Sequence, residues 1–317
     1  MSGLDLTDAD VMAARGPKNS VDPFRPHAMQ VEAEYSADGV IADVATVFLT
    51  NRECPFHCVM CDLWKNTADE RVPAGAIPAQ IEFALKNLRP AQHIKLYNSG
   101  NFFDAQAIPP DDLPRIAKLV SGFQSVIVEN HPKLCTHRVV GFQQQCGTSL
   151  EVALGLETSH APTLRRLNKL MTTDDFATAC RFLLGHNVRL RTFILLKPPG
   201  TSEAEGIERA VESVRFAFDH GVNCCAVIPT RTGNGIMDQL RQRGLFSPPA
   251  LSSLEVVMEE TLSWKRGRVF ADLWDVRQFA TCADCVDARI ARLKAMNLTQ
   301  TIPPAIRCAR CDSGHAS

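Results

Sequence analysis

The sequence contains no apolar run approaching the ~20 residues that a membrane helix needs. Stretches such as Phe193 to Leu196 are far shorter, so no membrane span is expected. Nor is there a surplus of positive charge: 34 Lys and Arg stand against 35 Asp and Glu, a formal net charge of −1. A chain that holds nucleic acid by itself does so by releasing counterions over a concentrated basic surface. This balance, with no basic tail and no stripe of basic and aromatic residues, argues against that role for the isolated chain. The N-terminus, MSGLDLTDADVMAARG, has neither an apolar signal core nor a basic transit pattern, and a cytoplasmic location is expected.

What is present is an ordinary globular composition, 45% hydrophobic and 22% charged over 317 residues. One α/β barrel with a small appendage can occupy that length. The twelve cysteines would be kept reduced in the cytosol, so a disulfide scaffold gives way to metal binding. Seven of the twelve fall into three tight groups, which fits that reading: Cys54, Cys58 and Cys61, then Cys282 and Cys285, then Cys308 and Cys311.

Along the chain, residues 1–27 are polar and broken by Gly16, Pro17, Pro23 and Pro26, which predicts an extended lead-in with little order. Met29 to Tyr35, the Asp38-Gly39 turn and Val40 to Thr50 read as a hairpin feeding a buried strand. Further strands are expected at His93 to Tyr97, Ser125 to Glu129, Leu150 to Leu156, Val188 to Leu196 and Asn223 to Ile228, with helical segments between them. Six strands joined by helical crossovers imply a parallel sheet. The expected class is α/β, a partial (β/α)6 barrel over residues 28–235 with its N-terminal hairpin. Residues 236–317 are expected to form a helical extension, with a strand near Val269 to Leu273 and a metal-binding segment. Cys135 and Cys146 are read as flanking a loop, and they join Cys180, Cys224 and Cys225 as packing residues.

The first cysteine group, Cys54-Pro-Phe-His-Cys58-Val-Met-Cys61, follows a buried strand directly, where a barrel carries its functional loops. Three thiolates on one loop can hold three irons of a cubane and leave the fourth iron open for an exchangeable ligand. A structural zinc site would need a fourth protein ligand, and His57, adjacent to Cys58, is awkwardly placed to supply it.

At these residues the sequence resembles the radical S-adenosylmethionine (SAM) superfamily, over roughly residues 45 to 230. The resemblance implies a [4Fe-4S] cluster on Cys54, Cys58 and Cys61 that binds SAM, an external electron donor, and a 5′-deoxyadenosyl radical that takes a hydrogen from the substrate. The cofactor carries the hard chemistry and the protein orients it. Met60 stands where the family usually has an aromatic residue near the adenine. Ser99 and Gly100 occupy the turn that would hold the SAM amino group, without the usual acidic residue. Glu129 and Glu157, at strand ends, could bind ribose hydroxyls or the SAM ammonium, or serve as a helix cap or salt bridge. His131 reads as a packed histidine rather than a base. Lys197, before two prolines, either pairs a carboxylate of SAM or substrate or caps the barrel rim.

Glu157-Thr158, Arg166-Leu167-Asn168-Lys169 and Leu195-Leu196-Lys197-Pro198-Pro199 narrow the resemblance to the branch with the archaeosine synthase radical SAM subunit and the elongator catalytic subunit. That branch implies a modified-nucleoside or small-molecule substrate, tRNA modification, and a separate tRNA-binding subunit.

Cys282-Ala-Asp-Cys285 and Cys308-Ala-Arg-Cys311 are two Cys-x2-Cys knuckles that can close a Cys₄ site, either for zinc or for an auxiliary iron-sulfur cluster. The rival to an enzyme is a metal-binding scaffold or assembly protein that turns over no SAM. Such a scaffold has no need of the strand-end motifs.

Overall fold

The computed structural model describes residues 4–312. Its centre is one mixed sheet of eight strands lying in chain order: β1 (Ala28–Tyr35), β2 (Ile41–Phe48), β3 (His93–Tyr97), β4 (Ser125–Asn130), β5 (Ser149–Glu157), β6 (Arg189–Leu196), β7 (Cys224–Pro229) and β8 (Arg268–Ala271). β1 runs antiparallel to β2 as the predicted hairpin, and β2 to β8 are all parallel. Each new strand adds to the same side of the last, so the sheet curls into a half-barrel with β1 and β8 as its free edges. The parallel strands are buried on both faces, as in Leu150 to Leu156, and therefore read as near-continuous apolar runs.

The helices are α1 (Asp8–Ala13), α2 (Ala76–Asn87), α3 (Leu113–Val120), α4 (His137–Cys146), α5 (Ala161–Arg166), α6 (Thr173–Gly185), α7 (Glu203–Asp219), α8 (Ile236–Gln242), α9 (Leu251–Ser263), α10 (Val286–Thr299) and α11 (Ala309–Asp312). Capping boxes start α6 at Thr172 with Asp175 and α7 at Ser202 with Glu205. Between Cys135 and Cys146 the chain is the helix α4 rather than a loop. Thr136 caps it, and Val139, Phe142 and Cys146 bury one face.

The lead-in also departs from expectation. Thr7 caps α1, and Leu4 and Val11 pack with Val59, Ile236, Met237, Leu240 and Phe246 into a small core of their own. A few well-spaced apolar residues suffice because the surface that receives them is already built.

β8 lies beyond residue 235 and extends the same sheet. Its outer edge is closed by side chains of α10: the Val269 amide donates to Gln300 Oε1 at 2.7 Å, and the Ala271 amide to Asn297 Oδ1 at 2.8 Å. The amide nitrogens of Gln300 and Asn297 return bonds to the Val269 and Ala271 carbonyls at 3.0 and 2.9 Å. Two side-chain amides thus do what a ninth strand would do, and protect an edge that would otherwise invite pairing. α10 also packs on β1, filling the opening of the half-barrel.

At the N-terminal end of the strands lies a network absent from the sequence reading. Arg191 bridges Glu34 at 2.7 Å and Glu151 at 2.6 Å, Arg268 reaches Glu151 at 2.8 Å, and Lys95 pairs with Glu34. Burial alone would raise both carboxyls, but the Arg191 charge and its partners hold Glu34 and Glu151 well below the usual range. This end is plugged by charge, and the other end carries the loops.

Candidate functional site

Those loops begin with residues 53–62, directly after β2. Their backbone is fastened from three sides. The Val59 amide donates to the Leu167 carbonyl at 2.9 Å. Asn168 Nδ2 donates to the His57 carbonyl at 2.9 Å and to Asp8 Oδ1 at 2.6 Å. Asn234 Nδ2 donates to the Val59 and Cys61 carbonyls at 2.7 and 3.0 Å, and its Oδ1 accepts from the Met237 amide. The lead-in adds Arg15 and Lys18, both paired with Glu53. His57 faces Asp8 at 3.3 Å and is not turned toward the thiols as a fourth ligand would be.

Cys58 is buried, with Cys54 and Cys61 partly so. Burial pushes all three thiols upward, Cys58 to about 12. A desolvated thiol of this kind becomes a thiolate when a metal replaces its proton. Two groups stand ready for that charge. Asn101 Nδ2 donates to Cys54 Sγ at 3.1 Å, and the positive charge of Lys169 favours the thiolate forms of Cys54 and Cys58. Among the described residues, only Cys282, Cys285, Cys308 and Cys311 bring three or more ligand atoms within 4.8 Å of one another, the convergence one ion requires. The wider spacing of the three loop thiols suits a cluster that spreads its ligands over separate irons.

Ser99 and Gly100 sit against this loop. A Cβ on Gly100 would lie 3.3 Å from Cys54 Cβ, so the two loops are in contact through the glycine. Ser99 adopts φ 53°, a left-handed backbone that a non-glycine residue keeps only when its surroundings impose it. Glu129 does so: its Oε1 accepts from the Asn98 amide at 2.7 Å and the Gly100 amide at 3.3 Å. A carboxylate from β4 thus caps the turn through its backbone amides. Burial raises Glu129 to about 7, and the backbone donors offset part of that rise. Beside them Asn98 is fully buried, and its Nδ2 and Oδ1 have no partner among the described residues. Such a pair of orphaned polar atoms fits a site built for a polar ligand.

Glu157 pairs with Lys169 at 2.5 Å in a buried bridge, the salt bridge among the roles its sequence allowed. It lies just past a register shift in β5, at φ 65°, and a Cβ on Gly155 would collide with both members of the pair. Lys197 reaches Glu203 at 2.6 Å, Ser247 Oγ at 2.9 Å and the Pro248 carbonyl at 3.4 Å. These contacts fit the rim-capping alternative. His131 stacks on Phe56 with centroids 3.9 Å apart. Its Nδ1 accepts from the Lys133 amide, so Nε2 carries the proton and donates to the Lys169 carbonyl at 3.0 Å. Burial lowers it to about 4.

Met60 lines a cleft with Leu195, Ile228, Thr230, Arg231 and Asn234, formed by the cysteine loop and the ends of β6 and β7. Asn101, Asn168, Lys169 and Asn234 were not singled out from the sequence as site residues. They lie in segments that were noticed, the Asn98–Asn101 turn, the Arg166–Lys169 motif and the Gly-rich loop after β7, but nothing local announces which side chain reaches the cysteine loop.

At the far end of the chain, Cys282 Sγ lies 3.9 Å from Cys308 Sγ, and Cys285 Sγ lies 3.8 Å from Cys311 Sγ. Four Zn–S bonds of about 2.3 Å arranged tetrahedrally put the sulfurs about 3.8 Å apart. Arg289 Nε donates to Cys285 Sγ at 3.2 Å, and Arg289 and Arg292 both pair with Glu255 of α9, which anchors this segment to the barrel.

The half-barrel is the fold of the radical SAM enzymes. It superimposes on the archaeal Methanocaldococcus infernus Elp3 lacking residues 1–46 with a TM-score of 0.51 and 16% identity, covering 74% of this chain and 60% of that one. This chain thus spans about 60% of the Elp3 chain. Methylornithine synthase (PylB) gives a TM-score of 0.51 and 16% identity, covering 83% of this chain and 74% of that one. The sequence is similar to archaeosine synthase subunit beta of Methanosarcina acetivorans, 26% identical over 299 residues, covering 87% of this chain and 84% of that protein. No family model matches the chain.

Proposed function

We propose that this chain is a radical SAM enzyme, with Cys54, Cys58 and Cys61 holding a [4Fe-4S] cluster and SAM seated between that loop, the Ser99–Gly100 turn and the Met60 cleft. The observation that carries the reading is the cysteine loop itself: one buried and two partly buried thiols at the loop end of the sheet, outside the spacing that one ion requires, with Asn101 bonded to Cys54 Sγ and the Lys169 charge favouring thiolate at Cys54 and Cys58. When bound, the cluster supplies an electron for reductive cleavage of SAM, and the resulting 5′-deoxyadenosyl group abstracts a substrate hydrogen.

The protein's part is orientation and exclusion of water. Lys169 compensates thiolate charge, and Glu157 keeps Lys169 in place. Glu129 fixes the turn whose Asn98 amide group is left to meet the ligand. The Cys282–Cys311 site is zinc in this account, because its sulfur spacing suits one ion and leaves no open position for chemistry. The scaffold alternative has no use for the unpartnered Asn98 or for a strained Ser99.

The similarity to archaeosine synthase subunit beta supports a modified nucleoside in tRNA as substrate, with a separate tRNA-binding subunit and an external reductant. The net charge of −1 agrees with delegated tRNA binding. The test is anaerobic turnover with tRNA from cells lacking this protein. Formation of 5′-deoxyadenosine should rise several-fold on adding that tRNA and not on adding tRNA from cells that contain the protein. An equal response to both would overturn the substrate reading.

A further inference from the structure

The charged plug at the N-terminal ends of the strands does not balance. Three cations, Lys95, Arg191 and Arg268, share two carboxylates, Glu34 and Glu151, so one positive charge has no carboxylate of its own. Arg268 sits at the outer side of that network. Its Nη2 donates to Glu151 Oε2 at 2.8 Å, while Arg191 holds Oε1 of the same carboxylate at 2.6 Å. A guanidinium carries five N–H donors. Neither Nε nor Nη1 of Arg268 has a partner among the described residues, and neither is sealed from solvent, although the side chain is only 10% exposed. A charge this deep without full compensation is costly to keep.

Arg268 lines a pocket of about 360 Å³ at the far end of the strands from the cysteine loop. Its walls come from Tyr35 at the end of β1, Asn223 just before β7, and the turn between α9 and β8 that carries Lys265 and Arg266. No carboxylate lines it among the described residues. Arg266 is bridged to Asp219 at 2.7 Å, but the Lys265 ammonium has no ion pair or hydrogen bond among the described residues. The turn itself is fixed. Lys265 stands at φ 52°, and a Cβ on Gly267 would come within 2.7 Å of Phe218 Cε1 and 3.0 Å of the Asn223 carbonyl oxygen. The Arg268 amide donates to that same carbonyl at 3.0 Å. Two unmatched cations therefore line one pocket on preordered backbone.

Such a pocket, beside a buried network that lacks one negative charge, is built for an oxyanion. We infer that it binds a phosphate group, with Arg268 and Lys265 as its cationic ligands, and that the bound anion completes the charge balance of the plug. The forked donors of arginine match phosphate oxygens, and two convergent cations favour a doubly charged phosphate over a carboxylate. The volume leaves room for the organic part of a small monoester as well as for the free ion. This site is separate from the cysteine loop and does not rest on the function proposed above.

The experiment is calorimetric titration of the reconstituted full chain with inorganic phosphate, glycerol 3-phosphate and acetate, each at ~0.15 M ionic strength held with chloride. At least one of the two phosphate probes should bind saturably, and acetate about tenfold more weakly; whichever phosphate probe binds more tightly distinguishes a free-ion site from a monoester site. Lys265→Glu, at an exposed position outside the plug, should weaken that binding about tenfold or more while its melting temperature without phosphate stays that of the unaltered protein. Phosphate should also raise the melting temperature of the unaltered protein and leave that of Arg268→Gln unmoved. If Arg268→Gln fails to fold, the Lys265 variant still decides. No saturable binding of either phosphate probe, acetate binding as tightly as phosphate, or unchanged affinity in Lys265→Glu overturns the site.

Discussion

The ammonium of Lys169 and the carboxylate of Glu157 meet at 2.5 Å in a buried bridge beside the cysteine loop. Burial works against the Lys169 charge, yet Glu157 and the Cys58 and Cys54 sulfurs hold its pKa above the ordinary lysine value. Breaking one side leaves the other charge buried without a partner. Lys169→Met should therefore cost about 3–5 kcal/mol of stability in denaturant unfolding, and Gly155→Ala, which drives a methyl group into the pair, about 1–3 kcal/mol. Replacing Glu157 and Lys169 together by Gln and Met should recover part of the loss. A loss below 1 kcal/mol for Lys169→Met would mean that the pair is not closed in solution.

The lead-in is predicted to stabilise the cysteine loop through Gly235. This residue has φ 89°, and a Cβ there would overlap the Ala14 carbonyl. Gly235→Ala should unseat α1, expose the 4–19 segment to limited proteolysis, and shorten the lifetime of the reconstituted visible absorption in air. If the cleavage pattern matched that of the unaltered protein, the contact would carry no weight.

Glu129 gives a pH signature whose sign follows from its raised pKa. The folded state binds the Glu129 proton more tightly than the unfolded chain does. Its contribution is complete below about 4.5 and is lost as pH rises through about 7, on the order of 3 kcal/mol in all. His131, lowered to about 4, works in the opposite sense: its contribution is present above about 6.5 and lost as pH falls through 4. Glu129→Gln keeps an oxygen for the Asn98 and Gly100 amides and removes the first effect. Its stability relative to the unaltered protein should rise between pH 5 and 8, which paired urea titrations would measure. A flat difference across that range would contradict the buried carboxyl.

Metal analysis separates the two cysteine sites. A protein with Cys54, Cys58 and Cys61 all changed to Ala should retain about one zinc per chain and no iron, as one Cys₄ tetrahedron requires. Changing Cys282 and Cys285 to Ser should remove the zinc and lower the melting temperature, because the segment that carries them has little core of its own. About four irons in the first variant would make the C-terminal site an auxiliary cluster.

The hairpin, the parallel strands and the cysteine spacings were legible in the sequence because each rests on a local signal: turn chemistry, apolar periodicity and ligand intervals. α4 was not, since Arg138, Gln143, Gln144 and Gln145 dilute its apolar face and only Val139, Phe142 and Cys146 are buried. The charged plug of Glu34, Lys95, Glu151, Arg191 and Arg268 was hidden for a related reason. Charges in a strand read as solvent-facing until the barrel curls them inward. Glu129 turned on amides 29 and 31 residues away, and Lys197 on Ser247 and Pro248, 50 and 51 residues away, beside the nearby Glu203; no spacing rule supplies the distant partners. Asn297 and Gln300, which seal the β8 edge, look like ordinary polar residues at the end of a helix.

The central claim is that Cys54, Cys58 and Cys61 support reductive cleavage of SAM. Its most direct test is 5′-deoxyadenosine formation by the anaerobically reconstituted chain with SAM and a strong reductant, beside the triple Ala variant treated identically. The account predicts product from the former and none from the latter, with the visible cluster absorption lost in step. Product from the triple variant, or none from a chain carrying four irons at the loop, would contradict it.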